Sequence, residues 1–296
     1  MRGVAPARRQ DTRWAWIFLA PTLLGLGVFT LLPTLGSFYL SFTQWDLLGA
    51  PSWVGLANYQ DLFGDPLFYH VMGLSAFFTV LYVAIDVVLA LALAVAFIQK
   101  LRGLGLLRAA YFIPVVCSMV AAAILWAWVF DPRYGLLNAA LALVGAGPFR
   151  WLSDPQLALP SLVLVSVWKN LGYDMLLFLA GLQAVPQAQL EAATVDGASP
   201  WQRFWHVTLP LLGPMMVMVT MLATIRAMQT FDTVFLMTEG GPQRSTLIVG
   251  YWLFQNAFTY FKLGKASALA YVLFAVILGL SALQWWGRRK MGHQEE

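Results

Sequence analysis

Six long apolar runs divide the chain, at 14–35, 75–98, 109–130, 157–183, 210–237 and 266–286. Each can carry a helix across a hydrocarbon layer ~30 Å thick, which takes about 20 residues. A transmembrane β-barrel would show short alternating segments instead. The pattern therefore predicts an all-α membrane protein with six transmembrane helices. In the first run, Pro33 marks a bend or an end. Residues 14–45 carry no charge, a stretch longer than the ~7–15 apolar residues of a secretory signal, so a retained first helix is expected.

Composition strengthens this picture. The 296 residues are 60% hydrophobic and 11% charged, against ~25% charged in soluble domains, which is too apolar for one soluble core. A net charge of +4 raises the question of nucleic acid, but the cations sit in short clusters beside the apolar runs. That is an orientation signal. Arg2, Arg8, Arg9, Arg13, Lys100, Arg102, Arg108, Arg203, Arg288, Arg289 and Lys290 fall on one side, against Arg133, Arg150, Arg244, Lys262 and Lys265 on the other. Both termini are thus expected in the cytoplasm, as an arm at 1–13 and a tail at 287–296 of a single membrane domain spanning 1–296. The one cysteine, Cys117, lies in an apolar run and forms no intrachain disulfide.

The first external connection lacks Lys and Arg but carries Trp45, Trp53, Tyr59, Phe63, Phe68 and Tyr69, which suits segments in the interface or on the helix ends. The third contains the turn signal Glu239-Gly240-Gly241-Pro242.

Catalytic signatures fail. Leu263-Gly264-Lys265-Ala266 has Thr259 where a phosphate loop needs its first glycine, and Ala266 where Ser or Thr would hold magnesium. His70, His206 and His293 form no metal-ligating pattern, and no G-x-S-x-G elbow occurs. An intramembrane enzyme therefore lacks a catalytic constellation.

The most polar internal connection is residues 186–210, PQAQLEAATVDGASPWQRFWHVTLP. Pro186 suits the first turn of a short helix over 187–196, and Gly197 can supply its left-handed closing position. Ser199, Pro200 and Gln202 read as N-cap, first helical residue and capping-box partner of a second helix. Trp201, Phe204, Trp205 and Thr208 recur at helical spacing, so an aromatic face laid on the bundle is expected. Such a hairpin can be a stiff lever that passes a push to the spans on either side, or a cap on the bundle.

Here the residues become recognisable. Glu191-Ala192-Ala193, then Gly197, then Val207-Thr208-Leu209-Pro210 after nine intervening residues resembles the EAA loop of ABC importer permeases, with Val207 in place of the usual isoleucine. The resemblance covers nearly the whole chain and extends to the carbohydrate-uptake branch, the permeases similar to those for maltose and glycerol-3-phosphate. Trp53 to Tyr59 (WVGLANY), the region 168–181, Asp196-Gly197-Ala198 and Gly240-Gly241-Pro242 carry it, and the chain looks like the first of two paralogous permeases.

The resemblance implies a multi-pass protein of the bacterial plasma (inner) membrane that builds a sugar path with a second permease. Two ABC ATPase subunits and an extracytoplasmic solute-binding protein complete the assembly. ATP and magnesium would be bound by the ATPases, with no cofactor in this chain. By the same likeness Glu191, Ala192, Ala193, Asp196, Gly197, Leu209 and Pro210 form the ATPase-coupling element.

Ionisable residues within spans are costly and are functional candidates by default. Ser166, Lys169, Asn170 and Tyr173 share one face of the fourth span, and Arg226, Gln229 and Thr230 one face of the fifth. Hydroxyls and amides beside Trp168 and Tyr173 suit a sugar, so these seven are the expected lining of a solute path. The bland alternative pairs Lys169 with Asp174 and Arg226 with Asp232. Asp86, alone in the second span, is expected in helix packing or a subunit contact. An ion-coupled secondary carrier using Asp86 or Asp232 is the rival mechanism, although no convincing inverted repeat is found.

Overall fold

The computed structural model describes residues 9–47, 49–98 and 104–292. Arg2, Arg8, Lys100, Arg102 and His293 lie outside the described residues, as do the side chains of Arg9, Arg13, Arg288, Arg289 and Lys290. In chain order the protein forms α1 (Arg9–Leu26), a π-helical turn (Gly27–Leu31), α2 (Leu32–Leu40), β1 (Thr43–Gln44), β2 (Ser52–Trp53), α3 (Ala57–Gly64) and α4 (Pro66–Phe97). Next come α5 (Leu104–Val116), α6 (Met119–Val129), α7 (Leu136–Ala142), α8 (Ala158–Gln183), α9 (Gln187–Val195) and α10 (Pro200–Arg203). A second π turn (Phe204–Thr208) leads to α11 (Leu209–Leu211), α12 (Gly213–Met228), α13 (Asp232–Met237) and α14 (Val249–Phe254), and a third (Gln255–Thr259) to α15 (Leu263–Gly292).

Four helical stretches are long and apolar enough to cross a membrane: Trp14–Leu40, Pro66–Phe97, Ala158–Gln183 and Leu263–Gly287. Two further pairs qualify only when each is taken as one bent span. Gly105–Val116 meets Met119–Val129 at 101°, and Pro200–Leu211 meets Gly213–Met228 at 67°. The chain thus holds four to six candidate spans, among which every run predicted from hydropathy is represented.

The differences have local causes. The first helix does not end at Pro33 but runs to Leu40. Proline would clash with the carbonyl four residues back, and the π turn just before it, where the Leu32 N–H reaches Gly27 O, supplies the wider spacing. The second span starts at Pro66 rather than 75, because Asp65 caps it by accepting from Leu67 N at 2.9 Å and Pro66 occupies the first helical position. The third run breaks at Cys117–Ser118 and the fifth is interrupted at Leu212 and again after Met228, so 210–237 is not one helix.

Two compact units emerge. One joins the described residues up to Gly64 with Asn256–Val272. In it a small hairpin pairs Thr43 with Trp53, and Phe42 packs on Trp53 and Tyr59 with ring centroids 5.6 Å apart in both cases. Asn58 Nδ2 ties the turn by donating to Ser41 O and Thr43 O at 2.9 Å. Trp53 and Tyr59, two of the aromatics of this connection, are thus gathered on Phe42. No residue in the most apolar window of Trp14–Leu40 is buried.

The other unit holds Asp65–Gln255 and the described residues from Leu273 onward. Its core is α4, α8 and α12, where Val87, Ala90, Ala94 and Phe97 meet Met175, Phe178, Leu179, Leu182 and Val219. Lipid tails are as apolar as these side chains, so close packing rather than escape from water holds them together. Gly172 shows how close: a Cβ there would lie 2.0 Å from Tyr111 O, so only glycine lets α8 lie against α5. Polar ties fix neighbouring helices, with Val249 N donating to Ser75 Oγ at 2.8 Å and Gln284 Nε2 to Thr224 Oγ1 at 3.0 Å.

Candidate functional site

Within this second unit α4, α6, α8, α12 and the start of α13 line an open cavity of about 330 Å³, in the range of small-molecule sites, ~300–1,000 Å³. Ser166, Lys169 and Asn170 face it from α8, Arg226 from α12, and Gln229 and Thr230 from the break. Six of the seven predicted lining residues thus meet in one place. Tyr173 does not line it; its ring lies 5.4 Å from the Arg226 guanidinium carbon and is 40% exposed. Tyr82, Met119, Phe231 and Thr233 also line the cavity. Nothing in their local sequence marks Tyr82 and Met119, which the packing of α4 and α6 brings there, while Phe231 and Thr233 follow from the break after α12.

The charges pair in neither way the sequence suggested. Arg226 Nη2 forms an ion pair with Asp174 Oδ2, joining α12 to α8. Asp174 is fully buried, as is Asp86, which stands beside it from α4. Neither Asp86 oxygen has a hydrogen-bond partner among the described residues. Asp86 therefore lies among three packed helices of its own chain. Lys169 Nζ donates instead to Pro114 O at 2.8 Å and Val115 O at 2.9 Å. These carbonyls face the α5–α6 break, where the helical ladder stops and acceptors need other donors. Asp232 is exposed in the first turn of α13, where the helix dipole favours a carboxylate.

The loop between α8 and α11 is built differently. Gly197 closes α9 at φ +79°, with Gly197 N donating to Thr194 O and Ala198 N to Ala193 O. That is a complete Schellman closure. Ser199 caps α10, accepting from Gln202 N at 3.3 Å while Gln202 Oε1 accepts from Ser199 N at 2.8 Å. Arg203 Nη1 then links the two helices through Thr194 Oγ1 at 2.6 Å.

Glu191, Ala192, Asp196 and Gly197 are exposed and Ala193 is half-buried, while Leu209 and Pro210 lie in α11. A groove of about 270 Å³ runs between Glu191 and Leu190 on one side and Arg203 and Phe204 on the other. The aromatic face expected against the bundle is not buried there. Trp201 is 69% exposed and Trp205 46%, and they pack edge to face on each other at 5.5 Å; a π turn at Phe204–Thr208 follows.

Residues 86–287 match the family described as binding-protein-dependent transport system inner membrane component. The probable ABC transporter permease protein YesP of Bacillus subtilis is 38% identical, covering 93% of this chain and 90% of the relative. The trehalose/maltose transport system permease protein MalF of Thermococcus litoralis is 33% identical, covering 92% of each. In fold, the chain superposes on a bacterial ABC transporter involved in the import of the acidic polysaccharide alginate with a TM-score of 0.82 at 20% identity, over 95% of this chain and 98% of that one. These matches give the secondary-carrier alternative no support. The EAA-like loop, the broken spans and the polar cavity thus belong to a multi-pass inner-membrane protein, and the chain is a member of the binding-protein-dependent transport system inner membrane components, the translocation subunits of ABC importers.

Proposed function

We propose that this subunit forms one wall of a path for a sugar or sugar derivative, with a second, paralogous permease forming the other. The observation that carries the reading is connectivity: the exposed loop 187–208 directly joins α8 and α12, the two helices that supply Ser166, Lys169, Asn170 and Arg226 to the cavity. A displacement of that loop moves the cavity's walls with little loss on the way, since Schellman closure, capping box and the Arg203–Thr194 bond make it stiff.

In this reading the chain is a single permease domain with six crossings and both termini in the cytoplasm. Each bent pair then counts as one span, and the charge bias sets the orientation. Glu191, Ala192, Ala193, Asp196, Gly197, Leu209 and Pro210 receive the push from one of two separate ABC ATPase subunits, which bind ATP and magnesium. An extracytoplasmic solute-binding protein delivers the solute. Relatives named for trehalose/maltose, lactose and sn-glycerol-3-phosphate transport support a sugar-type cargo.

The test is Glu191→Ala in the reconstituted transporter. ATP-driven uptake is expected to fall at least tenfold while solute binding by the isolated receptor is unchanged. Uptake at the unaltered rate overturns the coupling role.

A further inference from the structure

The cavity's polar groups are unevenly satisfied. Tyr82 is 1% exposed and Ser166 6%, yet neither hydroxyl has a hydrogen-bond partner among the described residues, although Tyr82 approaches the Arg226 guanidinium. Arg226 gives Nη2 to Asp174, while its Nε–H has no partner. Tyr82, Ser166 and Arg226 all line one cavity, so three donors without a bonded acceptor stand in its wall, near the equally unmatched carboxylate of Asp86. Buried donors left unmatched are costly, and such a set marks a place where a ligand supplies the acceptors.

Charge narrows the ligand. Arg226 is neutralised by Asp174, but Lys169 has no carboxylate partner among the described residues and rests on two backbone carbonyls. An ammonium has three hydrogens, so one remains. Within a membrane domain a cation held by neutral dipoles alone is expensive, and an anion beside it removes that cost. Asp232, the carboxylate lining the same cavity, is exposed, so water screens its repulsion.

The geometry points to a cavity that selects an acidic saccharide, whose negative group rests on the free hydrogens of Lys169 and Arg226 and whose hydroxyls pair with Tyr82 and Ser166. This rests on reading the cavity as the solute path and names the cargo's class. The Asp174 carboxylate behind Arg226 holds the guanidinium in place at the cavity wall.

Three probes of one ring shape test it: glucose, glucuronate and glucose 6-phosphate, which differ only at C6. Each, radiolabelled, is equilibrated with the assembled transporter in lipid nanodiscs without the solute-binding protein. At least one acid is expected to bind ten-fold or more tighter than glucose, and which one tells carboxylate from phosphate. Lys169→Met is expected to bring that preference within about two-fold, Lys169→Arg to retain it, and the charge-neutral double variant Arg226→Gln with Asp174→Asn to weaken it while glucose binding persists. Equal binding of all three probes to the unaltered protein overturns the acidic preference and leaves the path reading standing. Binding of none overturns both.

Discussion

The loop at 187–208 and the cavity are joined by the same two helices yet are held by opposite means. In the loop the bonds that hold its shape join residues within about ten positions: Gly197 and Ala198 to Thr194 and Ala193, Ser199 to Gln202, Thr194 to Leu190 and Arg203. In the cavity the decisive pairings join residues more than fifty positions apart. Arg226 meets Asp174 and Lys169 reaches Pro114 and Val115, while Tyr82, Ser166 and Asp86 keep unmatched atoms. The first region fixes its own shape by local bonds, and the second keeps polar atoms that the described residues do not satisfy.

Breaking the ion pair between Arg226 and Asp174 is expected to have the largest effect on stability. Arg226→Gln strands the fully buried Asp174 charge, at a cost of about 3–5 kcal/mol, read as a fall in the unfolding midpoint in detergent. Adding Asp174→Asn removes the stranded charge and is expected to recover most of the loss; equal instability of single and double variants contradicts the pairing. Next is Gly172→Ala, which forces a methyl into Tyr111 O and should cost about 1–3 kcal/mol. It moves α5 off α8 and with it the carbonyls that hold Lys169, so solute affinity is expected to fall as well.

Smallest is Ser199→Ala in the loop, worth about 1 kcal/mol as a lost cap. Because the loop's bonds are local, amide hydrogen exchange is expected to quicken over 199–203 with the global unfolding midpoint unchanged. A global shift would mean the two regions are less separate than their bonding implies.

The same contrast explains what was legible in the sequence. Caps, turn glycines and a short motif are written in neighbouring residues, so Gly197, Ser199, Gln202 and the EAA-like spacing could be read directly. The apolar runs announced the spans. Helical spacing also put Ser166, Lys169 and Asn170 on the cavity face. Yet it could not say that Tyr173 turns aside to lie near Arg226, nor that Arg226 passes over Asp232, six residues on, to reach Asp174, 52 residues back. Helix breaks were hidden too, because Pro114 lies three residues before the break at Cys117–Ser118 and hydropathy stays high across it. Pairings between helices depend on their packing, which no local pattern records.

The most direct test of the account asks whether the loop's closure transmits work to the cavity. Gly197→Pro replaces a residue at φ +79° with one locked near φ −65°, and should undo the α9 closure while leaving the core of α4, α8 and α12 intact. In proteoliposomes containing both permeases, the ATPases and the solute-binding protein, ATP-dependent uptake is predicted to be abolished with the unfolding midpoint of the transporter unchanged. Uptake at the unaltered rate in that variant would contradict the claim.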